Sequence, residues 1–585
     1  MMKSINVAFY SPSYGASRSS RLDAKVVMVN PTPYYLHGYF KKNYPDYAQY
    51  VNWKTSLVIN KTAKELLDFL VLHDIDVLCA SLYVWNVQDI LDIFDGIKEK
   101  YFDVTQKQLK IVFGGPSCNV LHDDWGKVCP YVDHFVVGQG EKAWASLALN
   151  FIGVTTLDNT ATNIVHFASK TSKPTYQHEF IRGIHYSPYL ESKDAVQQLI
   201  KEYEGYTLAW PYETQRGCPY HCSFCDWNGG QSNKTQKRKE VNFIDEIDFF
   251  AENKMYNLHI SDANFGMWDV DVDIMERLVK HKLDGHPFGF QSFNMSKLIN
   301  ANYKKIMWMI VKYNFNTIWV KLSVQDIHKN VLDAIDRPGN WDAAKEFGLE
   351  LYKEFAIERK LKIFVELIIG LPEQTVESWT ETLDEIYSSG FIPRSYPFLI
   401  LVNAPVKYNQ EYRAKYGIKD DQVFEVIDTT IIGNTIKEIY DDKVANFIYP
   451  QVTSCNTFSE RELVRMVMID QLYRLLLSRL VWPAYGFIDV NWHHLKPILN
   501  KLITTEDFEY VLEQRYANFV QYRINAMDSA QGKIMVGGAD MSSLVGRNYE
   551  LIHQSFAETK IDDIAAAKFL EVWDQFKSTA RWLDR

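Results

Sequence analysis

Apolar positions divide the chain into stretches of different periodicity. Residues 1–155 and 206–405 alternate short apolar runs with segments of helical period, which predicts parallel sheets covered by helices. From 406 to 585 apolar residues recur at helical spacing, so a helical region is expected there. Residues 156–205 show no long element and are predicted to be a linker. The runs predicted to form strands lie at 5–10, 25–30, 76–80, 109–113 and 134–137, and at 206–214, 258–261, 288–292, 318–324, 363–370 and 396–402.

Three of the early predicted strands are followed by glycine or polar residues. Ligands of open α/β sheets bind outside the carboxyl ends of strands, and glycine lets the backbone approach a ligand closely. A Gly-Gly turn after a strand is common, so the order and spacing of the whole set carry the prediction of a ligand-binding edge. The residues of this edge are Ser81, Leu82, Tyr83 and Trp85, then Gly114 and Gly115, then Gly138, Gln139, Gly140 and Glu141.

A loop at 217–226 carries Cys218, Cys222 and Cys225 in a CxxxCxxC spacing. Three thiolates can hold three irons of a cubane cluster and leave the fourth iron to an external ligand. A structural zinc site is the alternative, but it needs four ligands, and His221 lies awkwardly inside the loop. A disulfide is not expected, because the chain has only seven cysteines and no export signal.

This loop, with Phe224 just before the third cysteine, resembles that of the radical SAM superfamily. The glycine-rich edge before it resembles the cobalamin-binding domain that precedes the radical SAM domain in one large subfamily. The resemblance covers about residues 1–405. It implies an α/β protein with a Rossmann-like cobalamin-binding domain at 1–155, a linker at 156–205 and a partial (β/α)6 radical SAM barrel at 206–405. The apolar pattern adds a mostly helical domain at 406–585.

The resemblance also implies the cofactors: a [4Fe–4S] cluster on the three cysteines, S-adenosylmethionine at the strand ends of the barrel, and cobalamin at the glycine-rich edge. Glu366 replaces the first glycine of the Gly-x-Ile-x-Gly-x-x-Glu segment that Glu373 completes. An ordinary polar role at a strand end remains the alternative for each residue. The residues implied to contact S-adenosylmethionine are Phe224, Asp262, Asn264, Gln291, Ser323, Gln325, Ile368 and Gly370.

The chain departs from many cobalamin domains in one motif. Their Asp-x-His-x-x-Gly motif supplies a histidine ligand to cobalt, whereas His37 lacks both the aspartate and the glycine. We therefore expect His37 to be a packing residue and cobalamin to bind without a histidine cobalt ligand. Two roles are open for Trp227, just after the cysteine loop: shielding radicals from water beside a cluster and a corrin, or packing in the barrel, and packing is favoured.

The activity implied is that of a methyltransferase acting on an unactivated carbon or phosphorus through a 5′-deoxyadenosyl radical and methylcobalamin. Three alternatives stay open: ring rearrangement or cyclisation without methyl transfer, methylthio transfer with a second cluster on Cys79, Cys118 and Cys129, and a corrinoid carrier with an inactive barrel. The expected partners are a small-molecule or peptide substrate and a one-electron reductant such as flavodoxin or ferredoxin. No catalytic acid or base can be named.

Charge and hydropathy further limit the classes of partner and the location that we expect for this protein. The net charge is −10 with a pI near 5.9, and no basic stripe stands out, so nucleic acid is not an expected partner. The N-terminus lacks the apolar segment of a signal peptide, and no run reaches the about 18–20 apolar residues that span a bilayer. A soluble, cytoplasmic enzyme is expected.

Overall fold

The computed structural model describes most of the chain in segments. Trp85, one of the predicted site residues, lies outside the described residues. Part of the segment at 463–480, where apolar residues recur at helical spacing, also lies outside them. The described residues are 2–10, 26–54, 62–83, 86–119, 129–155, 164–166, 185–228, 235–238, 241–315, 319–359, 361–401, 404–421, 450–475 and 492–528, with 544, 547, 548, 551 and 554.

The first sheet has six strands in the order β3-β1-β4-β5-β6-β7, all parallel except β7, which runs antiparallel to β6. Apolar cores lie on both faces of this sheet. The prediction of a parallel α/β sheet at the start of the chain is confirmed. The strands are β1 (Ile5–Tyr10), β3 (Val51–Lys54), β4 (Val77–Ser81), β5 (Lys110–Gly114), β6 (His134–Val136) and β7 (Ile164–His166).

The second region forms two parallel sheets, β12-β11-β8-β2 and β13-β14-β15. Its six predicted strands are all present, although the last begins four residues earlier than expected. Two short antiparallel pairs, β9 with β10 and β16 with β17, complete the strands. Their bounds are β2 (Val26–Met28), β8 (Thr207–Tyr212), β9 (Gln215–Arg216), β10 (Gln236–Lys237), β11 (Asn257–Ile260), β12 (Gly289–Ser292), β13 (Trp319–Gln325), β14 (Lys362–Ile369), β15 (Ile392–Pro397), β16 (Lys419–Asp421) and β17 (Gln451–Ser454).

Helices alternate with these strands and become dominant after the last parallel strand. Thr62 and Glu65 form a capping box at the start of α3, as the T-x-x-E signature predicts. The helices are α1 (Thr32–Asn43), α2 (Pro45–Ala48), α3 (Ala63–Leu72), α4 (Val87–Phe94), α5 (Ile97–Thr105), α6 (Glu141–Phe151), α7 (Pro188–Glu191), α8 (Lys193–Glu202), α9 (Phe243–Glu252), α10 (Asp269–Leu283), α11 (Ala301–Lys312), α12 (Lys329–Ala334), α13 (Trp341–Arg359), α14 (Val376–Ser388), α15 (Pro405–Tyr408), α16 (Gln410–Tyr416), α17 (Glu460–Leu475), α18 (Trp492–Leu502) and α19 (Glu506–Asp528).

Strand β2 belongs to a different sheet from the one its sequence position suggests. The prediction grouped residues 25–30 with the first sheet, but β2 pairs in parallel with β8, Val27 opposite Leu208. The neighbour of β1 is instead β3, which the apolar pattern did not reveal. Val27 and Val29 are fully buried in the large second core, and this burial outweighs proximity along the chain.

The segment at 156–205 was predicted to contain no long element, and that part of the prediction was wrong, because it contains the ten-residue helix α8. Val196 and Leu199 on α8 are fully buried in the second core. The apolar residues Ala195, Val196, Leu199 and Ile200 recur at helical spacing, so the sequence does carry a signal for α8.

The C-terminal helices pack on the second region. The indole nitrogen of Trp379, on α14, donates to the carbonyl of Met466, on α17, at 3.2 Å. Within the described ranges, no helix is both long enough and apolar enough to cross a bilayer.

Candidate active site

The cysteine loop is held by backbone bonds to two other parts of the second region. The amide of Ser223 donates to the carbonyl of Ile335 at 2.9 Å, and the amide of Val406 donates to the carbonyl of Ser223 at 3.0 Å. Cys218 and Cys222 are buried, while Cys225 is half-buried. The loop is therefore anchored at Ser223, between Cys222 and Cys225, and two of its three thiols are buried.

Asn264 places an amide directly against the first thiol. Its Nδ2 donates to the Cys218 Sγ at 3.2 Å, and the side chain is fully buried. Its Oδ1 is buried without a hydrogen-bond partner. A buried acceptor of this kind is costly unless a donor arrives. An ammonium group is such a donor, so this atom fits the amino group of S-adenosylmethionine beside a cluster on Cys218.

Asp262 holds the segment that leads into the cysteine loop. Its carboxylate accepts from the amides of Thr214 at 2.8 Å and Gln215 at 3.1 Å, and from the Thr214 hydroxyl at 2.5 Å. Burial raises its pKa to about 8, and nearby Asp271 adds to this rise. Because Asp262 is fully buried and its oxygens are occupied, it positions the strand that leads to Cys218.

Burial also raises the pKa values of thiols in the cysteine loop. It raises the pKa of Cys225 to about 11 and raises the pKa of Cys222, which Arg337 partly offsets through its charge and a hydrogen bond. Lys297 is a second cation near these sulfurs, and burial lowers its own pKa. Thiols that resist ionisation release their protons on binding metal, so cluster insertion is coupled to proton release.

The donor set fits a cubane better than a single ion. In the part of the chain that the structure describes, no three His, Cys, Asp or Glu side chains converge on one metal position. A zinc ion needs its ligands within about 2.3 Å of one point, whereas a cubane binds each cysteine through a different iron. Three soft thiols, two of them buried, with no fourth protein donor among the described residues, match the second arrangement.

The predicted S-adenosylmethionine residues on β13 and β14 lie side by side. Ser323 is paired with Glu366 and Gln325 with Leu367 across the two strands. Gln325 has a φ of 76°, a backbone conformation that a non-glycine residue adopts only when its surroundings enforce it. Ser323 donates to Glu366 at 2.5 Å, so the carboxylate that replaces the family glycine reaches the same strand end.

Gln374 joins the end of β14 to Asp326, which directly follows β13. This residue was not identified from the sequence. Its Oε1 accepts from the amides of Gly370 and Leu371, each at 2.9 Å. Its Nε2 donates to the carbonyl of Ile368 at 2.9 Å and to Asp326 at 2.7 Å. Ile368 and Gly370 are thus held rigidly, as a site for a flat ring requires. Nothing in the local sequence distinguishes this glutamine from a surface residue.

Two predicted contacts have weaker support. Phe224 is half-buried and packs against the second core. Gln291 is exposed, and its oxygen lies 3.5 Å from the Nδ2 of Asn257. Trp227, which was expected to pack inside the barrel, is 41% exposed, so that prediction was wrong.

The glycine-rich edge of the first sheet forms a tight cradle. Gly115 has a φ of 94°, and a Cβ there would lie 2.6 Å from the carbonyl oxygen of Leu82 and 2.8 Å from the hydroxyl of Ser81. Asn86 locks the same turn: it accepts from the amide of Tyr83 at 2.7 Å and donates to the carbonyl of Ser81 at 3.1 Å. Only glycine fits at 115.

The third signature of this edge turns toward the cysteine loop. Gly138 has a φ of 78°, and Gly140 precedes α6. Gln139 lies 3.5 Å from Gln236 on β10, and Glu141 forms a buried ion pair with Arg216 on β9. The structure therefore brings this signature to the segment two residues before Cys218.

His37 and the three early cysteines are packed residues. His37 lies edge-on to Trp53 with ring centroids 5.8 Å apart, and burial lowers its pKa to about 4. Cys79 lies in one core of the first sheet, whereas Cys118 and Cys129 lie in the other. The three thiols thus do not share one site, which disfavours a second cluster.

Replacing Gly115 by alanine is expected to destabilise the first sheet and to weaken ligand binding at its edge. The positive φ costs about 1–3 kcal/mol, and the contact with the Leu82 backbone adds to it. Chemical denaturation followed by circular dichroism measures the effect. Gly205→Ala is the control, because it shares a positive φ but has open space around its Cβ. Equal losses for the two variants would contradict the close approach.

Comparison with known proteins agrees with this geometry. Residues 212–386 match the radical SAM superfamily. The chain is 29% identical over 364 residues to the cobalamin-dependent radical SAM methyltransferase TokK of Streptomyces tokunonensis, covering 59% of this chain and 50% of that protein. It is 29% identical over 368 residues to the 2-(S-pantetheinyl)-carbapenam-3-carboxylate methyltransferase of Streptantibioticus cattleyicolor, with the same coverage. The chain spans about half the length of these curated relatives.

Among solved structures, the cobalamin-dependent S-adenosylmethionine radical enzyme OxsB, with aqua-cobalamin and S-adenosylmethionine bound, has a similar fold. The TM-score is 0.55 at 12% identity, covering 99% of this chain and 84% of OxsB. The chain therefore carries a radical SAM domain, the kind that works with a [4Fe–4S] cluster and S-adenosylmethionine. The overall fold of the chain is similar to that of OxsB.

Proposed function

We propose that this protein is a cobalamin-dependent radical SAM methyltransferase acting on an unactivated carbon, or phosphorus, of a small molecule or peptide. The proposal depends most on one observation. The unpartnered Asn264 acceptor lies beside Cys218, in a chain whose glycine-rich edge contacts the segment just before that cysteine. The sequence similarity to proteins named as methyltransferases points the same way.

The residues have distinct tasks in this proposal. Cys218, Cys222 and Cys225 hold the cluster, and Asn264 receives the amino group of S-adenosylmethionine. The turn around Gly115 holds cobalamin without a histidine cobalt ligand. When bound, the cluster and S-adenosylmethionine supply radical chemistry and the corrin supplies a methyl group.

The C-terminal region packs against the end of β14. A Cβ on Gly370 would lie 3.4 Å from Leu463 and 3.9 Å from Phe458, so α17 and the segment before it pack directly against the end of β14. Their apolar side chains exclude water from the ring-binding side of the site, as reactive intermediates require. This gives the C-terminal helices a part in shaping the substrate pocket.

The partners follow from the chemistry. A one-electron reductant such as flavodoxin or ferredoxin is needed, and a thiolate-held cluster requires a reducing compartment such as the cytoplasm. The substrate is proposed only as a class.

Anaerobic reconstitution with iron, sulfide and hydroxocobalamin tests the proposal. About four irons and about one corrin per chain are expected in the purified protein. S-adenosylmethionine and reductant should then yield 5′-deoxyadenosine and S-adenosylhomocysteine. A cluster without corrin would overturn the cobalamin assignment. Corrin and 5′-deoxyadenosine without S-adenosylhomocysteine would overturn methyl transfer and favour rearrangement.

A further inference from the structure

The guanidinium of Arg216 joins the two halves of the protein. Its Nη1 donates to Glu141, the first residue of α6, at 2.5 Å. Its Nε donates to Glu213 at 2.9 Å, and the group lies 4.8 Å from the centre of the Tyr35 ring. Glu141 is 3% exposed and Arg216 is 15% exposed. One cation is thus shared between a carboxylate of the glycine-rich edge and a carboxylate of the barrel.

The ion pair is placed in a shielded environment. Burial by itself would lower the pKa of Arg216, but the charges of Glu141 and Glu213 outweigh it and hold the pKa above its ordinary value. Charges removed from water are paired strongly, and losing one partner leaves the other uncompensated. The contact therefore differs from a surface salt bridge, which contributes little.

Arg216 and Glu141 each lie close in sequence to one of the two proposed cofactor sites. Arg216 is separated from Cys218 only by Gly217, whose φ is 82°. Glu141 directly follows the Gly138–Gly140 turn of the first sheet. Each member of the pair is therefore adjacent to one of the two proposed cofactor sites.

Neighbouring contacts make the junction rigid. The Tyr186 hydroxyl donates to the carbonyl of Tyr35 at 2.8 Å. Arg238 donates to the backbone carbonyl of Glu213 at 2.8 Å, which fixes the main chain of the residue that carries the second carboxylate. Rotation of the Arg216 side chain is thus limited on the barrel side, so a shift of Glu141 is passed to the cysteine loop.

We propose that Glu141 and Arg216 form an interdomain clamp that positions the glycine-rich edge against the cysteine loop and couples occupancy of the two sites. Both act as positioning residues. The coupling part of this inference rests on the proposed function, because it requires corrin at the edge. By thermodynamic linkage, if a ligand at one site changes the affinity of the other site, a ligand at that other site changes the affinity of the first by the same factor.

The test compares Glu141→Gln with Glu213→Gln in the full, cluster-loaded chain. Both variants remove one carboxylate from the same arginine, but only the first removes the ion pair that joins the two halves. Hydrogen–deuterium exchange is measured at 136–143 and 213–225, with and without hydroxocobalamin. The Glu141→Gln variant is expected to exchange faster at both segments. It should also lose the protection of 213–225 by hydroxocobalamin, which should be about fivefold or more in the unmodified protein.

The outcomes separate the two ideas. Equal exchange in the two variants, or protection that survives Glu141→Gln, would overturn the clamp. Failure of the unmodified protein to retain hydroxocobalamin would overturn the cobalamin assignment, while the ligand-free comparison would still decide the positional role. If Glu141→Gln does not fold, Glu141→Asp keeps the charge but shortens the side chain. It should then show the same pattern to a smaller extent, and unchanged exchange in it would overturn the clamp.

Discussion

The Cys222→Ala variant is expected to fold but to carry no stable cluster, and its formation of 5′-deoxyadenosine should fall to background. Cys222 is buried, and Arg337 lies against its sulfur. In the proposed cluster each of the three thiolates binds a different iron of a cubane, so removing one would leave two irons without a protein ligand. Iron and sulfide content, with the product measured by chromatography, give the result.

Cys455→Ala is the matched control for this variant. Cys455 is a free, half-buried cysteine outside the loop, and its sulfur lies 3.2 Å from the hydroxyl of Thr457. This variant should retain iron and product formation. A Cys222→Ala protein with full iron content would refute the cluster assignment, and equal losses in both variants would show only a general sensitivity to cysteine replacement.

The Arg238→Met variant is expected to lose about 3–5 kcal/mol of stability, because it leaves the buried carboxylate of Glu246 without its cation. Arg238 and Glu246 are fully buried and joined by two hydrogen bonds of 2.8 and 3.1 Å. Ser187, just before α7, donates to the same carboxylate. The network thus joins the segment before the barrel to α9, and chemical denaturation should show its loss.

Arg277→Met provides the comparison. Arg277 also pairs with a carboxylate, Asp248, at 2.6 Å, but the two side chains are 24% and 32% exposed. Such a pair contributes about 1 kcal/mol or less. The prediction fails if the two variants lose similar stability, since burial of the pair would then have no consequence.

Local sequence signals predicted much of the fold because strand and helix periodicity reflects burial on one face. Strands such as β4 and β14 are short apolar runs with clear ends, and they were found. Strand β3 was not, because only Val51 among its four residues is buried. The pairing of β2 with β8 depends on which core accepts Val27, a tertiary property that the local pattern does not carry.

The residues of the candidate site also fall into two groups: those that local sequence signals revealed and those that depend on distant segments. The cysteine spacing and the glycine turns are local, so the sequence revealed them. Asn264 was predicted as a contact residue, and the structure adds its bond to Cys218. Arg337, Gln374 and the pairing of Glu141 with Arg216 depend on chain segments far apart in sequence. Hydrogen bonds between distant segments leave no periodic trace, so sequence reasoning could not find them.

The position of β2 has a consequence for any attempt to divide the protein. A fragment starting near residue 206 would retain the cysteine loop but lack the strand that covers one edge of β8. The freed amide and carbonyl groups of that edge would be open to pairing with another chain, which is a route to aggregation. A peptide spanning β2, added in trans, would restore the edge. The two halves of this protein are thus interleaved rather than joined end to end.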